Sequence, residues 1–389
     1  MAEPSQTPIS NQVIPRLPRL RSGLSVVPGD GETVIFSPRL ESVEAIEDPD
    51  GVWACLLASC DGSRGPGAVQ ARMAETGFDL SADDVAEGID ALVAQGLLVD
   101  AFADVSDEWA NQRAYIEQLT RGTLDVSLAQ ARVRSTRVLV LGAGGTGSWL
   151  ALSLAMMGVA SLMMVDADVV EARNRTRQPY PADSVGRRKV EVLGELVSGL
   201  RPDIEYSGVD LRVEHEEDLS ALVGGIDVVA CCADEPSLDA IASIIAGVCV
   251  PAEVPHIVCG YHGASGRVGP FWFPRRRPLP CPGCNSLLND TDYGTRGLGL
   301  RDRRMPTPVS VAQPQLVASL AASEILHFRA GVRPATAGRM FALDSLTLDS
   351  RRVRVPLRDD CRICFGGRKR HVSVSSPVAG VERAKEVNL

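Results

Sequence analysis

The chain lacks the features that mark export or membrane insertion. Its first residues, "MAEPSQTPISNQVIPRLPRL", are polar and proline-rich and hold no apolar signal-peptide core. Its longest apolar run, "WLALSLAMMGVASLMMV", is broken by Gly158 and Ser161 and falls short of the roughly 20 apolar residues that a membrane-spanning helix needs. It lies between a glycine loop and an acidic loop, so it reads as a buried helix followed by a strand. A cytoplasmic protein with no membrane partner is expected. A positive charge balance is missing too. The formal charge is −9, which argues against the phosphate-neutralising surface of a nucleic-acid binder. There is no internal repeat. A disulfide scaffold is also excluded, because the 10 cysteines belong to a long chain without a secretion signal. Six of them, Cys55, Cys60, Cys231, Cys232, Cys249 and Cys259, sit in apolar contexts and read as small core residues.

With 389 residues, 45% of them apolar and 23% charged, the chain can form one large α/β domain and a smaller one. Residues 1–25 read as a flexible arm. In 26–101, "ETVIFS" is strand-like and "GPGAVQARMAETG" helix-like. Ser81 is placed to cap the helix "ADDVAEGIDALVAQG", with Asp83 and Asp84 in its first turn, Gly96 at its end and "LLVDAF" as a following strand. Two helices and a short strand form a winged-helix pattern. Residues 102–133 read as a helical connector, 134–366 as the main domain and 367–389 as a disordered tail. From Arg137, "RVLVLG", "GGTGSWLALSLAMMG" and "SLMMVDAD" form a βαβ unit with a right-handed crossover. "KVEVLGELVSGL" supplies the next helix, "DIEYSGVDL" and "IDVVACCAD" strands, "SLDAIASIIAGVC" and "QPQLVASLAASEILHFRAG" helices, and "RMFALDSLTLDSRRVRV" a hairpin. The expected fold is α/β: a Rossmann-like, mostly parallel sheet domain with a small winged-helix-like α+β domain before it.

The turn "LGAGGTGSWL" places Gly142, Gly144, Gly145 and Gly147 between strand and helix. Such glycines permit close approach to phosphate, and the helix N-terminus offers unpaired N–H groups to the anion. Asp166 ends the second strand about 20 residues on, where an acid accepts hydrogen bonds from a ribose; Asp168 joins it on the nucleotide side. Asp166 suits NAD and ATP equally, and the loop and Asp166 by themselves favour a nicotinamide enzyme. The next segment carries Asn174, Arg177, Gln178 and Lys189. A dinucleotide has two phosphates to satisfy, whereas a triphosphate about to lose pyrophosphate needs fixed cations. An arginine, an amide and a lysine converging on the loop therefore point to ATP. Arg187 and Arg188 read as a solvated helix start. Cys281-Pro-Gly-Cys284 and Cys361-Arg-Ile-Cys364 offer four thiolates, the donor set of a closed structural zinc site. A redox-active pair and inert buried cysteines are the alternatives.

In this order, Gly142 to Ser148, Asp166, Asn174-x-x-Arg177-Gln178 and Gly186-x-x-Lys189 resemble the ThiF/MoeB-type adenylating superfamily, over about residues 110–365. That superfamily includes ubiquitin-activating enzymes, and the layout is most similar to the microcin-type peptide adenylators. The resemblance implies an ATP-dependent adenylyltransferase that releases pyrophosphate. It places Asp234 as the Mg²⁺ ligand, a role suited to a hard oxygen facing phosphates, although Glu235 stands where the family usually has asparagine. It also implies a homodimer in which an arginine acts across the interface, with Arg113 in "NQRAYIEQL" as the candidate. Members that pass an acyl group to sulfur carry a cysteine after the second zinc cysteine. None lies between Cys284 and Cys361, so a thioester in that loop is excluded. Arg301, Arg303 and Arg304 of the loop either contact a peptide acid or are solvated. Cys231 and Cys232 read as packing residues, and His256 and His262 receive no role.

Residues 31–101 resemble the PqqD-like peptide-clamp domains of ribosomal-peptide modification enzymes. Such clamps bind a leader peptide as an added strand, here with "VIFS" as the edge. DNA binding is disfavoured, because the helix that would enter a groove is acidic. The implied partner is a precursor peptide, with a partner modification enzyme also possible. The alternatives are adenylation of the C-terminal Gly-Gly of a sulfur-carrier or ubiquitin-like protein, or a non-catalytic leader-binding scaffold.

Overall fold

The computed structural model describes residues 16–36, 43–101, 107–120, 124–235, 237–275, 279–284 and 308–365. The N-terminal unit runs β1 (Pro18–Leu20), β2 (Ser25–Pro28), β3 (Glu32–Phe36), β4 (Val43–Glu47), α1 (Val52–Ser59), α2 (Pro66–Glu75), α3 (Ala82–Ala94) and β5 (Leu98–Asp100). The three helices enclose Leu56, Val69, Met73, Ile89 and Leu92, with Ile35 contributed by β3. Ser81 caps α3 as expected: its hydroxyl accepts from the Asp84 N–H at 3.1 Å, and the Asp84 carboxylate accepts from the Ser81 N–H at 3.1 Å. Helix α1 has an equally local cause. The buried Asp48 carboxylate accepts the N–H groups of Trp53 and Ala54, both at 2.9 Å, and the Thr33 hydroxyl at 2.7 Å. An acid at a helix start satisfies donors that have no partner inside the helix.

Two expectations need correction here. The segment 1–25 is not wholly an arm, because β1 pairs antiparallel with β5, Pro18 opposite Asp100 and Leu20 opposite Leu98. "VIFS" is not an edge either. Strand β3 is paired with β2 on one side and β4 on the other, so among the described residues the open edges of that sheet are β2 and β4.

Helices α4 (Ala110–Thr120) and α5 (Val126–Arg134) follow. Glu117 of α4 is buried and holds the Arg19 guanidinium in a two-pronged pair of 2.7 and 3.0 Å, which fastens the N-terminal unit to the connector.

The main domain runs β6 (Arg137–Leu141), α6 (Gly145–Met157), β7 (Ser161–Val165), α7 (Lys189–Leu200), β8 (Glu205–Val209), α8 (Glu216–Ser220), β9 (Val228–Cys231), α9 (Leu238–Cys249), β10 (His256–His262), β11 (Ser265–Trp272), α10 (Ala312–Arg329), β12 (Arg339–Asp344), β13 (Ser350–Arg354) and α11 (Arg362–Phe365). Its sheet has the order β13-β12-β11-β10-β9-β6-β7-β8. Strands β10 to β8 along that order are parallel, and β11, β12 and β13 continue antiparallel. Alternate residues of β6 face opposite layers, as a strand requires. Val138 and Val140 pack in one buried cluster with Leu150, Leu193 and Ile325, from α6, α7 and α10. Leu139 and Leu141 pack in the other with Leu219, Ile241 and Ile245, from α8 and α9. A sheet covered on both faces explains the near-continuous apolar strands. The long apolar run is α6 and β7, as expected, and among the described residues no helix is long and apolar enough to cross a membrane.

The chain leaves β6 toward β7 on one side, while β9 lies on the other. The carboxyl ends of β6 and β9 thus flank the point where the winding reverses, which is where open α/β sheets bind ligands.

Candidate active site

The glycine loop lies at that crevice, and at three of its four glycines the surroundings leave no room for a side chain. Gly142 adopts φ +94°, and a Cβ there would lie 2.8 Å from the Ala233 nitrogen after β9. A Cβ on Gly147 would fall 1.7 Å from the Gly142 carbonyl oxygen. On Gly145 it would lie 2.5 Å from the Tyr261 hydroxyl, whereas Gly144 faces open space. Gly144 is the N-cap of α6 and has no side chain to satisfy the first-turn N–H groups. They are left for an anion. The buried Thr146 hydroxyl in that turn has no partner either.

Asp166 is tied to the same loop. One carboxylate oxygen accepts the Ala143 N–H at 2.6 Å and the other accepts the Asp168 N–H at 2.8 Å. Tyr180, 3% exposed, donates to the Ala143 carbonyl at 2.7 Å. Burial, with Asp166 nearby, pushes its hydroxyl pKa up, so it is a neutral brace. The loop is therefore held from below by an acid and a phenol. Only Asp166 was read from the sequence.

Lys189 opens α7 and is buried; its Nζ lies 2.7 Å from Asp168 Oδ2. Arg212 reaches the other Asp168 oxygen at 3.4 Å and also pairs with Glu235. Glu235, the departure from the family pattern, is thus held by a cation, while its neighbour Asp234 pairs with none among the described residues. Asn174 is buried in a short 3₁₀ turn, and its Oδ1 accepts the Glu171 N–H at 2.9 Å. Gln178 is buried with its side-chain oxygen unpartnered. Arg177 is half-buried between them. Its Nε donates to the Tyr261 hydroxyl at 3.3 Å, and its carbonyl accepts the Trp149 indole N–H at 3.1 Å. Arg187 and Arg188 pair with Glu195 and Asp210 at the surface.

At the far end of the sheet the sulfurs of Cys281, Cys284, Cys361 and Cys364 all lie within 4.8 Å of one another. Neighbouring Sγ atoms are 3.7 to 4.0 Å apart. A tetrahedron with Zn–S bonds of roughly 2.3 Å has edges of about 3.8 Å, so the four cysteines fit a structural zinc. The other six behave as core. Cys60, Cys231, Cys249 and Cys259 are buried and Cys55 and Cys232 half-buried. Burial pushes the Cys249 thiol up to about 12.

The family model of the ThiF family matches residues 115–363, which contain the loop, the charged cluster and three of the four cysteines, with Cys364 the next residue beyond. The chain belongs to the ThiF family. It is an ATP-dependent adenylyltransferase of that family. Molybdopterin-synthase adenylyltransferase of Salmonella typhimurium is 27% identical over 236 residues, 60% of this chain and 89% of its own length. SAMP-activating enzyme E1 of Haloferax volcanii is 42% identical over 106 residues, 27% of this chain and 39% of its own. The crystal structure of E. coli MccB aligns over 92% of this chain and 99% of its own, with a TM-score of 0.74 and 18% identity.

The cluster at the loop unites nearly all the residues read from the sequence for nucleotide binding and charge stabilisation. Arg113 is the exception: its own chain does not bring it to the loop. Helix α4 packs against the C-terminal end of α6, with Trp109 against Gly158 and Gln112 bonded to the Met157 carbonyl at 3.1 Å. The loop is at the other end of this 13-residue helix, about 20 Å away. Arg113 pairs instead with Asp107. Sequence reasoning missed Arg212, Tyr180 and Tyr261, because lone tyrosines and arginines carry no spacing signal. His256 is fully buried and stacks on Trp272, and His262 is exposed at the end of β10. The loop arginines 301, 303 and 304 and the tail 367–389 lie outside the described residues.

Proposed function

We propose that this enzyme adenylates a carboxylate of a ribosomally made precursor peptide held by its N-terminal unit. The observation that carries the reading is the unit itself, which holds a three-stranded sheet with β2 and β4 as its open edges among the described residues and is fastened through Arg19 to the connector helix α4. Crystal structures of E. coli MccB, which is similar over its whole length, include one with ATP and one with AMPCPP and the peptide MccA.

In this reading a carboxylate oxygen of the peptide attacks the α-phosphorus of ATP. A new O–P bond forms, the bond to the bridging oxygen breaks, and pyrophosphate leaves with that electron pair. The backbone at Gly142, Gly144, Gly145 and Gly147 seats the phosphates, and Asp166 takes the ribose. Arg177 and Lys189 neutralise charge that grows on the phosphoryl oxygens, with Asn174 and Gln178 beside them and Asp168 holding Lys189 in place. Fixed donors aimed at developing charge supply the largest catalytic effect. Asp234 suits Mg²⁺, as the carboxylate beside the loop that no described cation neutralises; the ion would screen phosphate charge. The acyl-adenylate is then open to an amide or amine. Arg113 enters only if a second copy presents it.

The test is ATP–pyrophosphate exchange with the purified enzyme and candidate peptides. Peptide-dependent exchange is expected, falling at least about 100-fold in Lys189→Ala. A second reading, adenylation of a C-terminal Gly-Gly of a small carrier protein, is favoured by the sequence likeness to the molybdopterin-synthase enzyme. Exchange with such a protein and with no peptide would establish it instead. No exchange with either would leave a leader-binding scaffold.

A further inference from the structure

We infer that the β12–β13 hairpin is a docking strip for an acidic, extended polypeptide segment, namely part of the peptide that brings its carboxylate to the glycine loop. The inference rests on the peptide reading above and deepens it. Strand β13 is the last in the eight-stranded sheet, so among the described residues one of its edges has no neighbour. An open edge offers a row of backbone donors and acceptors to an incoming strand. This edge is also cationic in a chain whose net charge is −9. Arg351, Arg352 and Arg354 are all exposed, and Arg339 sits directly opposite Arg354 in the register. None of the four makes an ion pair with a described residue. Like charges facing each other across a ladder are unfavourable by themselves. An acidic segment along β13 would turn that repulsion into pairing. Because side chains alternate, acids two residues apart would meet Arg352 and Arg354 on one face.

The strip also points to the right place. Strand β10 runs parallel to β9, β11 opposes it and β12 opposes β11. The turn after β12 therefore emerges at the same end of the sheet as the glycine loop after β6. Its two leucines, Leu346 and Leu348, are each 84% exposed, an apolar tip beside the arginines on the active-site side.

The test is fluorescence anisotropy of a labelled peptide of alternating glutamate and serine, with its lysine–serine counterpart as control. The wild-type enzyme is expected to bind the acidic peptide about tenfold more tightly, with the preference fading at high salt. The R351Q/R352Q/R354Q variant is expected to lose the preference while ATP still protects it from thermal unfolding. Equal binding of the two peptides by the wild type, or an undiminished preference in the variant, overturns the inference. Binding requires no turnover, so a failure of adenylation in the exchange assay is read separately.

Discussion

Replacing Gly147 by alanine tests whether the loop is a rigid cradle. The new Cβ would lie 1.7 Å from the Gly142 carbonyl oxygen and 3.2 Å from the Cys232 Cβ. Non-bonded carbon and oxygen need nearly twice that first separation, so the backbone must open by well over an ångström. Retreat is blocked on both sides. Gly142 already lies against the Ala233 backbone, and α6 is anchored by Leu150, Leu154 and Ala155, all fully buried. Overpacking of this kind costs about 1–3 kcal/mol. A misplacement near 1 Å costs catalysis about 100-fold. Gly147→Ala is therefore expected to lower the unfolding temperature and to reduce kcat/KM for ATP in pyrophosphate exchange by about two orders of magnitude. Gly199→Ala is the matched control. That glycine is in α7 with nothing within 4 Å, so the same change should stabilise the protein by about 0.5–1 kcal/mol and leave exchange untouched. If Gly147→Ala keeps both its unfolding temperature and its ATP kinetics, the loop is not the cradle described above.

Tyr261→Phe removes the hydroxyl that orients Arg177; a loss of a few-fold in kcat with little change in stability is expected, and an unchanged pH–rate profile and kcat would show that Arg177 is held by other contacts. Cys361→Ser should release the metal and lower stability by roughly 4 kcal/mol, the order of closing a chain loop between sulfurs eighty residues apart; zinc content by emission spectrometry and thermal unfolding read the two effects. Burial lowers the His256 pKa to about 4, below the ordinary 6.5, so the unfolded chain binds the extra proton first. Stability should therefore fall as pH drops from about 6.5 toward 4, by up to about 3 kcal/mol, and His256→Phe should flatten that limb of a denaturation series. An equally steep limb in the variant would assign the loss to other groups.

The parallel half was legible because its signals are local. Gly158 ends α6 at φ +75°, and the apolar strands match a sheet buried on both faces; in the N-terminal unit the Ser81 cap of α3 was local in the same way. The charged cluster was legible because Arg177, Gln178 and Lys189 have fixed spacing. The rest depends on partners distant in sequence. Strand β1 exists only because β5 pairs with it, so its three residues looked like an arm. Nothing in "VIFS" says that it has neighbours on both sides. Helix α1 hangs on Asp48, an acid among several in its segment. Tyr261 and Arg212 approach Arg177 and Asp168 across loops, from 84 and 44 residues away, a juxtaposition that periodicity cannot reveal.

The placement of the N-terminal unit carries a consequence for the substrate. Arg19 fastens the unit to Glu117, and the neighbouring Ile116 packs on Leu326 and Ala330 at the C-terminal end of α10. The N-terminal ends of α10 and α6 meet at the loop, where Pro314 lies 3.1 Å from the Cβ position of Gly145. The unit is thus anchored at the end of these helices remote from the glycine loop, and α6 alone spans about 20 Å. Extended chain covers at most about 3.3–3.6 Å per residue. A peptide held by the unit therefore needs about six further residues before its carboxylate reaches the loop of the same chain. Peptides shortened stepwise between the bound segment and the carboxylate should keep their affinity but lose pyrophosphate exchange once that spacer falls below about six residues. If exchange survives shorter spacers, the carboxylate is delivered elsewhere, and a loop contributed by a second copy becomes the required geometry.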